Sequence, residues 1–151
     1  MAGWQENVSE SVVADEPGGG AGSTVEDSVE IRLPADSVYL SVLRTATAGL
    51  AARLDFTLDE IEDLRIAVDE ACAMLLPQAL DGSQLACRFR LSKDTIEVTV
   101  IIPTSDAVLP ERNTFSWTVL AALAGEVDSG SDEDRQVWIR LRKRRGVVGS
   151  A

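Results

Sequence analysis

Residues 57–75 read TLDEIEDLRIAVDEACAML, and their pattern predicts a capped amphipathic helix. Thr57 and Glu60 have the spacing of a capping box, in which two side chains satisfy free N–H groups at a helix N-terminus. Apolar side chains then recur every three or four residues, as one buried helix face requires: Leu58, Ile61, Leu64, Val68, Ala71, Cys72 and Leu75. We therefore expect a helix that starts at Thr57 and ends by Pro77 or in the turn that follows.

The same helix has a second, partly apolar face. Ile66, Glu70 and Met74 follow one another at four-residue intervals, on the side opposite the main apolar face. A helix with apolar side chains on two faces is usually covered on both, which would place Glu70 near a packed surface or a pocket. The alternative is that Glu70 is a solvated surface carboxylate and that Met74 is a core residue.

Alternating apolar and polar residues predict strands over residues 28–33, 84–91, 95–102 and 135–143. Helical spacing predicts two further helices, one from Asp36 or Ser37 to about Ala52 and one over residues 114–123. Helices that precede a run of antiparallel strands favour an α+β fold over a doubly wound parallel sheet. We expect a two-layer α/β sandwich, with the helices on one face of a mixed, mostly antiparallel sheet.

The helix predicted to end near Ala52 has two different sides. Its apolar residues at helical spacing are Tyr39, Val42, Leu43, Ala46 and Leu50. Another face carries Ser41, Arg44, Thr45 and Ala48. We expect the apolar set to pack on the core and the second set to face outward.

The composition divides the chain into three parts. The first 30 residues contain seven acidic side chains, no Lys or Arg, and a Gly-rich segment at residues 17–23. Such a segment buries too little apolar surface to offset its ordering entropy. We therefore expect a disordered acidic tail over residues 1–27, one domain over residues 28–144, and a flexible C-terminus over residues 145–151.

The overall charge and residue content exclude several classes of function. A net charge of -11 disfavours direct binding to nucleic acid or to anionic membrane, although six of the fourteen basic residues lie between Arg135 and Arg145. A nucleic-acid or scaffold-binding module that uses this basic end is therefore the weakest hypothesis. The chain has no histidine, its two cysteines lack metal-ligand spacing, and no apolar run reaches membrane-spanning length. These features predict a reduced, cytoplasmic protein without a metal site.

Three segments, in order, resemble the bacterial anti-sigma factor serine kinases of the GHKL (Bergerat, histidine-kinase-like) ATPase superfamily. Residues 63–72, DLRIAVDEAC, are similar to the first nucleotide-box helix of that family. Residues 52–61, ARLDFTLDEI, resemble the link before this helix, and residues 137–143, VWIRLRK, resemble the closing strand. The resemblance extends over about residues 28–143 and points to the variant actinobacterial subset, in which the nucleotide boxes are eroded.

The resemblance assigns roles to two residues of the central helix. In such kinases a Glu acts as general base on a serine of the partner, and an Asn four residues later holds the Mg²⁺ that bridges the ATP phosphates. The first position corresponds to Glu70 and the second to Met74. A thioether is a poor ligand for a hard cation, so the resemblance implies that Glu70 is a relic base and that the metal site is lost.

The glycine boxes of the family are also altered in this chain. The segment after the central strand, residues 101–107, reads IIPTSDA, without glycine, and its Asp106 comes too late to match the Asp of the family. The phosphate-binding box corresponds to residues 113–120, NTFSWTVL, where Thr114 and Ser116 replace glycines. Side chains there obstruct close approach of a phosphate, and Phe115 with Trp117 could fill the vacated cavity.

The function implied by the resemblance is that of an anti-sigma factor in partner switching, as in stress responses. It would sequester an alternative sigma factor and be released by an anti-anti-sigma antagonist of the STAS type, without a cofactor and with homodimer formation as in the family. Arg44 corresponds to the partner-contacting arginine, beside Ser41, Thr45 and Ala48; its other interpretation is a solvated surface arginine. The alternative function is an active serine kinase that uses ATP and Mg²⁺ to phosphorylate its anti-anti-sigma partner.

Overall fold

The computed structural model describes residues 26–146 of the chain. Most of the acidic tail expected over residues 1–27 therefore lies outside the described residues, as do the last five residues of the expected flexible C-terminus, 147–151. Arg145 and Gly146 are described, and both contact the domain. No helix within the described range is long and apolar enough to cross a membrane.

The described residues form three α-helices and five strands. In chain order these are β1 (Asp27–Pro34), α1 (Leu40–Arg53), α2 (Leu58–Leu75), β2 (Gln84–Leu91), β3 (Thr95–Pro103), α3 (Phe115–Ala124), β4 (Glu126–Ser131) and β5 (Gln136–Arg144). A 3₁₀ turn at Ser37–Tyr39 precedes α1, and another at Leu76–Gln78 follows α2. Seven of these eight elements were predicted, and β4 was not.

The strands form a single sheet in the order β1-β2-β3-β5-β4, and every pairing between them is antiparallel. Alternate residues of the strands face the helices. One such cross-strand row runs through Phe89, Val98 and Leu141, all fully buried. They pack against the buried face of α2, whose Leu64 and Val68 are also buried. The predicted two-layer α+β sandwich is confirmed, although its sheet, expected to be mixed, is antiparallel at every pairing of the described strands.

Helix α2 begins as predicted, with a complete capping box. The Thr57 hydroxyl accepts a hydrogen bond from the Glu60 N–H at 3.1 Å, and the Glu60 carboxylate accepts one from the Thr57 N–H at 2.8 Å. The predicted apolar face is buried from Ile61 to Leu75. Leu58 is the exception: it is 83% exposed, because it stands at the flank of the buried face and before the first packed turn.

The buried face of α1 differs from the predicted one. The structure buries Leu40, Leu43, Thr47 and Ala51, whereas Tyr39 and Val42 are exposed. The prediction was therefore right for Leu43, Ala46 and Leu50, which pack on the core, and wrong for Tyr39 and Val42. Two of the four residues that α1 buries, Thr47 and Ala51, are small, and small side chains let packed helices approach closely.

Candidate functional site

A cavity of about 580 Å³ lies between the C-terminal end of α2 and the chain that leaves β3. Met74 reaches it from α2, and Leu80 lines it from the segment between α2 and β2. Thr104, Asp106 and Val108 line the opposite wall. The resemblance assigns Met74 and the segment after the central strand to the nucleotide site, and the structure brings Met74 and Asp106 together at this cavity.

The turn at the cavity wall is held by a buried hydroxyl. Thr104 donates to the backbone carbonyl of Arg135 at 2.8 Å and accepts from the N–H of Ala107 at 2.8 Å. The second bond holds Ala107 at a backbone φ of 54°, a conformation that residues other than glycine rarely adopt. Gln78 joins the two walls by donating to the carbonyl of Val108 at 2.8 Å. The cavity therefore has a defined shape in the absence of a ligand.

The part of the cavity lining that the structure describes offers no basic side chain to a phosphate group. Asp81 and Asp106 are its charged residues, and no Lys or Arg lines it within the described residues. A polyphosphate would meet two carboxylates without a compensating cation. Met74 offers a thioether, and no cluster of three or more metal-binding side chains occurs in the described range. Within the described residues, the cavity therefore lacks basic side chains that would bind phosphates directly, and Met74 supplies no oxygen at the position where the resemblance expects a magnesium ligand.

Asp106 is the functional candidate that the sequence analysis left unmatched. The mismatch was one of spacing, because Pro103, Thr104 and Ser105 separate Asp106 from the end of the buried run in β3. The turn stabilised by the Thr104 hydroxyl folds the chain back after β3, and Asp106 therefore lies at the cavity. The sequence signal that could have identified it is Thr104 three residues before Ala107, a hydroxyl-stabilised turn.

The residues at the second glycine box lie elsewhere. Thr114 is the N-cap of α3: its hydroxyl accepts from the N–H of Trp117 at 3.2 Å and donates to the carbonyl of Glu111 at 3.2 Å. Neither Thr114 nor Ser116 lines the cavity. Phe115 is 83% exposed, so the expectation that Phe115 and Trp117 fill the vacated cavity was wrong. Trp117 packs instead beneath the guanidinium of Arg112, 4.8 Å from its ring centroid.

Glu70 is half-buried on α2 and makes no hydrogen bond to any described residue. It does not line the cavity, although Met74, one turn further along, does. Ile66, one turn before it, is 44% exposed. The second face of α2 is therefore exposed at Ile66 and reaches the cavity at Met74. The expectation of a helix covered on both faces was wrong for the N-terminal half of α2.

Arg44 joins α1 to α2. Its guanidinium forms an ion pair with Asp69 at 2.8 Å, and the two side chains are 37% and 41% exposed. Ser41 and Thr45 are exposed on the same helix, and Ala48 packs partly against the core. Arg44 is thus neither fully solvated nor buried, and its partner Asp69 was not identified from the sequence.

Comparison with known proteins finds relatives for about half of this chain. No family model matches it. A serine-protein kinase RsbW of Bacillus velezensis is 37% identical over 81 residues, which cover 52% of this chain and 51% of that protein. The RsbW of Bacillus subtilis is 38% identical over 77 residues, covering 49% of this chain and 48% of that protein. The chain therefore spans about half the length of the curated relatives it matches.

A solved structure shares the fold. The crystal structure of the RsbU and RsbW domains of Rv1364c from Mycobacterium tuberculosis superposes with a TM-score of 0.62 over 79% of this chain and 32% of that one, at 14% identity. At this identity the likeness establishes the fold alone. The sequence similarity to the RsbW proteins confirms the resemblance inferred from residues 63–72. This chain is thus similar, over about half its length, to the serine-protein kinases named RsbW, and it shares the fold of a part of that structure of the RsbU and RsbW domains.

Proposed function

We propose that this chain is a cytoplasmic anti-sigma factor that sequesters an alternative sigma factor and is released by an anti-anti-sigma antagonist of the STAS type. The observation that carries the proposal is the sequence similarity to RsbW. The cavity supports it, because Met74 lines it at the position that the resemblance assigns to a metal ligand. The scaffold of a partner-switching protein is retained, and the chemistry of its nucleotide site is not. Binding a partner requires the scaffold and does not require the chemistry of the nucleotide site.

The lost chemistry follows from the lining of the cavity. Asp81 and Asp106 disfavour bound phosphates, and Met74 cannot replace an oxygen ligand of Mg²⁺. Thr114, at one position of the altered box, caps the N-terminus of α3, and neither Thr114 nor Ser116 lines the cavity. Glu70 is then a relic of the general base, without a nucleotide to act on.

The partner surface that we propose lies on α1. Ser41, Arg44 and Thr45 present polar groups there, with Ala48 at the edge of the core. Val38 and Val42 are exposed beside them, at the helical spacing that forms one continuous strip. An arginine bordered by exposed apolar side chains is typical of the residues that dominate protein–protein binding energies.

A second function is an active ATP-dependent serine kinase that phosphorylates the antagonist. Two observations favour it: the relatives are named serine-protein kinases, and the cavity at Met74 is open. Under this interpretation ATP and Mg²⁺ would bind in that cavity, with Glu70 as base. Homodimer formation and the absence of nucleic-acid binding remain predictions under both functions.

Two measurements separate these functions. Tagged protein is used to capture partners from native lysate, which are then identified; an alternative sigma factor and a STAS-type protein are expected. Calorimetry with Mg-ATP follows, with the RsbW of Bacillus subtilis as a matched control, and we expect no heat of binding for this chain. Micromolar Mg-ATP binding, together with phosphate transfer to a captured partner, would contradict the first function and establish the second.

A further inference from the structure

The cavity of about 580 Å³ at the C-terminal end of α2 has more free hydrogen-bond acceptors than donors. The Thr104 hydroxyl already donates to a backbone carbonyl at 2.8 Å, and the Gln78 amide nitrogen donates to another at 2.8 Å. The carboxylates of Asp81 and Asp106 form no hydrogen bond or ion pair with any residue in the described range. The polar groups left for a ligand are therefore mainly acceptors, which a ligand with N–H donors would satisfy.

The negative charge at this cavity is not compensated by the chain. Elsewhere on the domain, the carboxylates of Asp69, Asp94 and Asp128 are paired with arginines at distances of 2.8, 3.1 and 2.9 Å. No Lys or Arg among the described residues lines the cavity that holds Asp81 and Asp106. A cleft lined by charges of one sign concentrates ions of the opposite sign, so this cavity attracts cations.

The same cavity presents apolar surface to solvent. Leu80 and Val108 line it and are 44% and 59% exposed. Met74 lines it as well, and its unbranched thioether side chain adapts to ligands of different shape. A ligand with an apolar body would remove this surface from water, which favours binding. The volume of the cavity is in the range of sites for small organic molecules, roughly 300–1,000 Å³.

We propose that this cavity binds a small organic cation, an amine that carries an apolar ring or chain. Its ammonium group donates hydrogen bonds to the carboxylates of Asp81 and Asp106, and its apolar body lies on Met74, Leu80 and Val108. An ammonium group has three donors and no acceptor, which matches the free groups of the lining. A bare metal ion is a poorer occupant, because no cluster of three or more metal-binding side chains occurs in the part of the chain that the structure describes.

This proposal is separate from the partner function proposed above. The groups that carry it lie at the cavity, whereas the surface proposed for a sigma factor lies on α1. The ligand class also differs from the nucleotides implied by the resemblance. A nucleotide brings phosphates, whose charge the two carboxylates oppose, whereas an amine brings the charge that they attract.

The test titrates the full chain with tryptamine, in which an ammonium group is attached to an apolar indole body. Backbone amide signals in nuclear magnetic resonance spectra report where the ligand binds. We expect saturable shifts at Met74, Leu80, Asp106 and Val108 at millimolar tryptamine or below. Tryptophol, which has a hydroxyl in place of the ammonium group, should bind about fivefold more weakly because it lacks the charge. Indoleacetate, which is an anion, should cause no saturable shift.

Matched variants separate the cavity from the general attraction of cations to a chain of net charge -11. Asp106→Asn should weaken tryptamine binding about threefold and leave tryptophol binding unchanged, since only the cation uses the charge. Asp59→Asn removes the same charge from an exposed position in the first turn of α2 and should change neither affinity. Val108→Lys, at an exposed position of the wall, places a cation at the cavity and should abolish tryptamine binding.

Equal affinity for tryptamine and tryptophol would overturn the proposal, because the carboxylates would then play no part in binding. It is also overturned if the shifts fall outside the cavity, or if Asp59→Asn weakens tryptamine binding as much as Asp106→Asn does. These titrations contain no sigma factor and no ATP, so their outcome does not decide the proposed function, which is tested separately.

Discussion

At the scale of single residues, Arg44 shows what a helix pattern can and cannot predict. Spacing and resemblance identified the residue and its side of α1. They could not identify Asp69 as its partner, because the two are 25 positions apart and meet only through the packing of α1 on α2. The ion pair is more than a third exposed on both sides, so it contributes at most about 1 kcal/mol to folding.

The partner role of Arg44 gives the first prediction of this Discussion. Arg44→Ala should weaken binding of the captured sigma factor at least tenfold, or about 1.4 kcal/mol, and Arg44→Glu should weaken it further, because a like charge is then placed in a desolvated contact. Calorimetry measures the affinity, and circular dichroism should show an unchanged fold.

The matched control for Arg44 is Asp69→Asn, which breaks the same ion pair and keeps the guanidinium. We expect the affinity of this variant for the sigma factor to stay near that of the wild type. An equal loss of affinity in Asp69→Asn and Arg44→Ala would show that the pair only positions α1, and would remove Arg44 from the interface.

At the scale of elements, α2 was predictable from sequence and β4 was not. Thr57, Glu60 and the apolar repeat that follows are local signals, and the structure confirms them. Strand β4 reads EVDSGS, which has little β-branched or aromatic content. It pairs only with β5, and its Gly130 gives room to the Trp138 ring, a contact that no local pattern contains. The sequence did not predict that Asp106 lines the cavity for the same reason, because a turn stabilised by Thr104 brings the residue there.

The capping box of α2 predicts a stability that depends on pH. Partial burial raises the pKa of Glu60, but hydrogen bonds from the N–H groups of Thr57 and Gly146 outweigh it, so the pKa lies below the ordinary value of 4.5. A lowered folded pKa means that the contribution is fully present above the unfolded value and is lost as pH falls through the folded value.

We therefore expect Glu60→Gln to unfold at lower urea concentration than the wild type at pH 7, and the difference to shrink in acid as Glu60 of the wild type becomes protonated. Thr57→Ala removes the other half of the box and should cost about 1 kcal/mol, with a weaker acid dependence, because the Thr57 hydroxyl is only one of several groups that lower the pKa of Glu60. Urea unfolding of both variants and the wild type, followed by circular dichroism at pH 7 and in acid, measures the two effects. A Glu60→Gln difference that is constant with pH would show that its charge plays no part in capping.

At the scale of the whole molecule, the end of the described chain joins parts that are far apart in sequence. Strand β5 lies between β3 and β4, and the two residues after it continue to the base of the helical layer. The Arg145 guanidinium donates to the carbonyl of Leu54 at 2.8 Å, in the turn between α1 and α2. The Gly146 N–H donates to the Glu60 carboxylate at 2.7 Å. The two residues that follow the last strand therefore stabilise the start of α2.

This closure predicts that a chain ending after Arg144 is less stable than one ending after Val148. The shorter chain loses the bonds from Arg145 and Gly146 and leaves a C-terminal carboxylate near Asp94, whose own carboxylate accepts from Arg144 at 3.1 Å. Each lost hydrogen bond costs about 1 kcal/mol, so the melting temperature should fall by several degrees, as measured by calorimetry. Arg144→Ala in the full chain is the control and should melt near the wild type, because Arg144 is mostly exposed in its pair with Asp94. Equal melting of the two shortened chains would mean that the sheet and α2 are stable without this connection, and that the Glu60 carboxylate caps α2 through Thr57 alone.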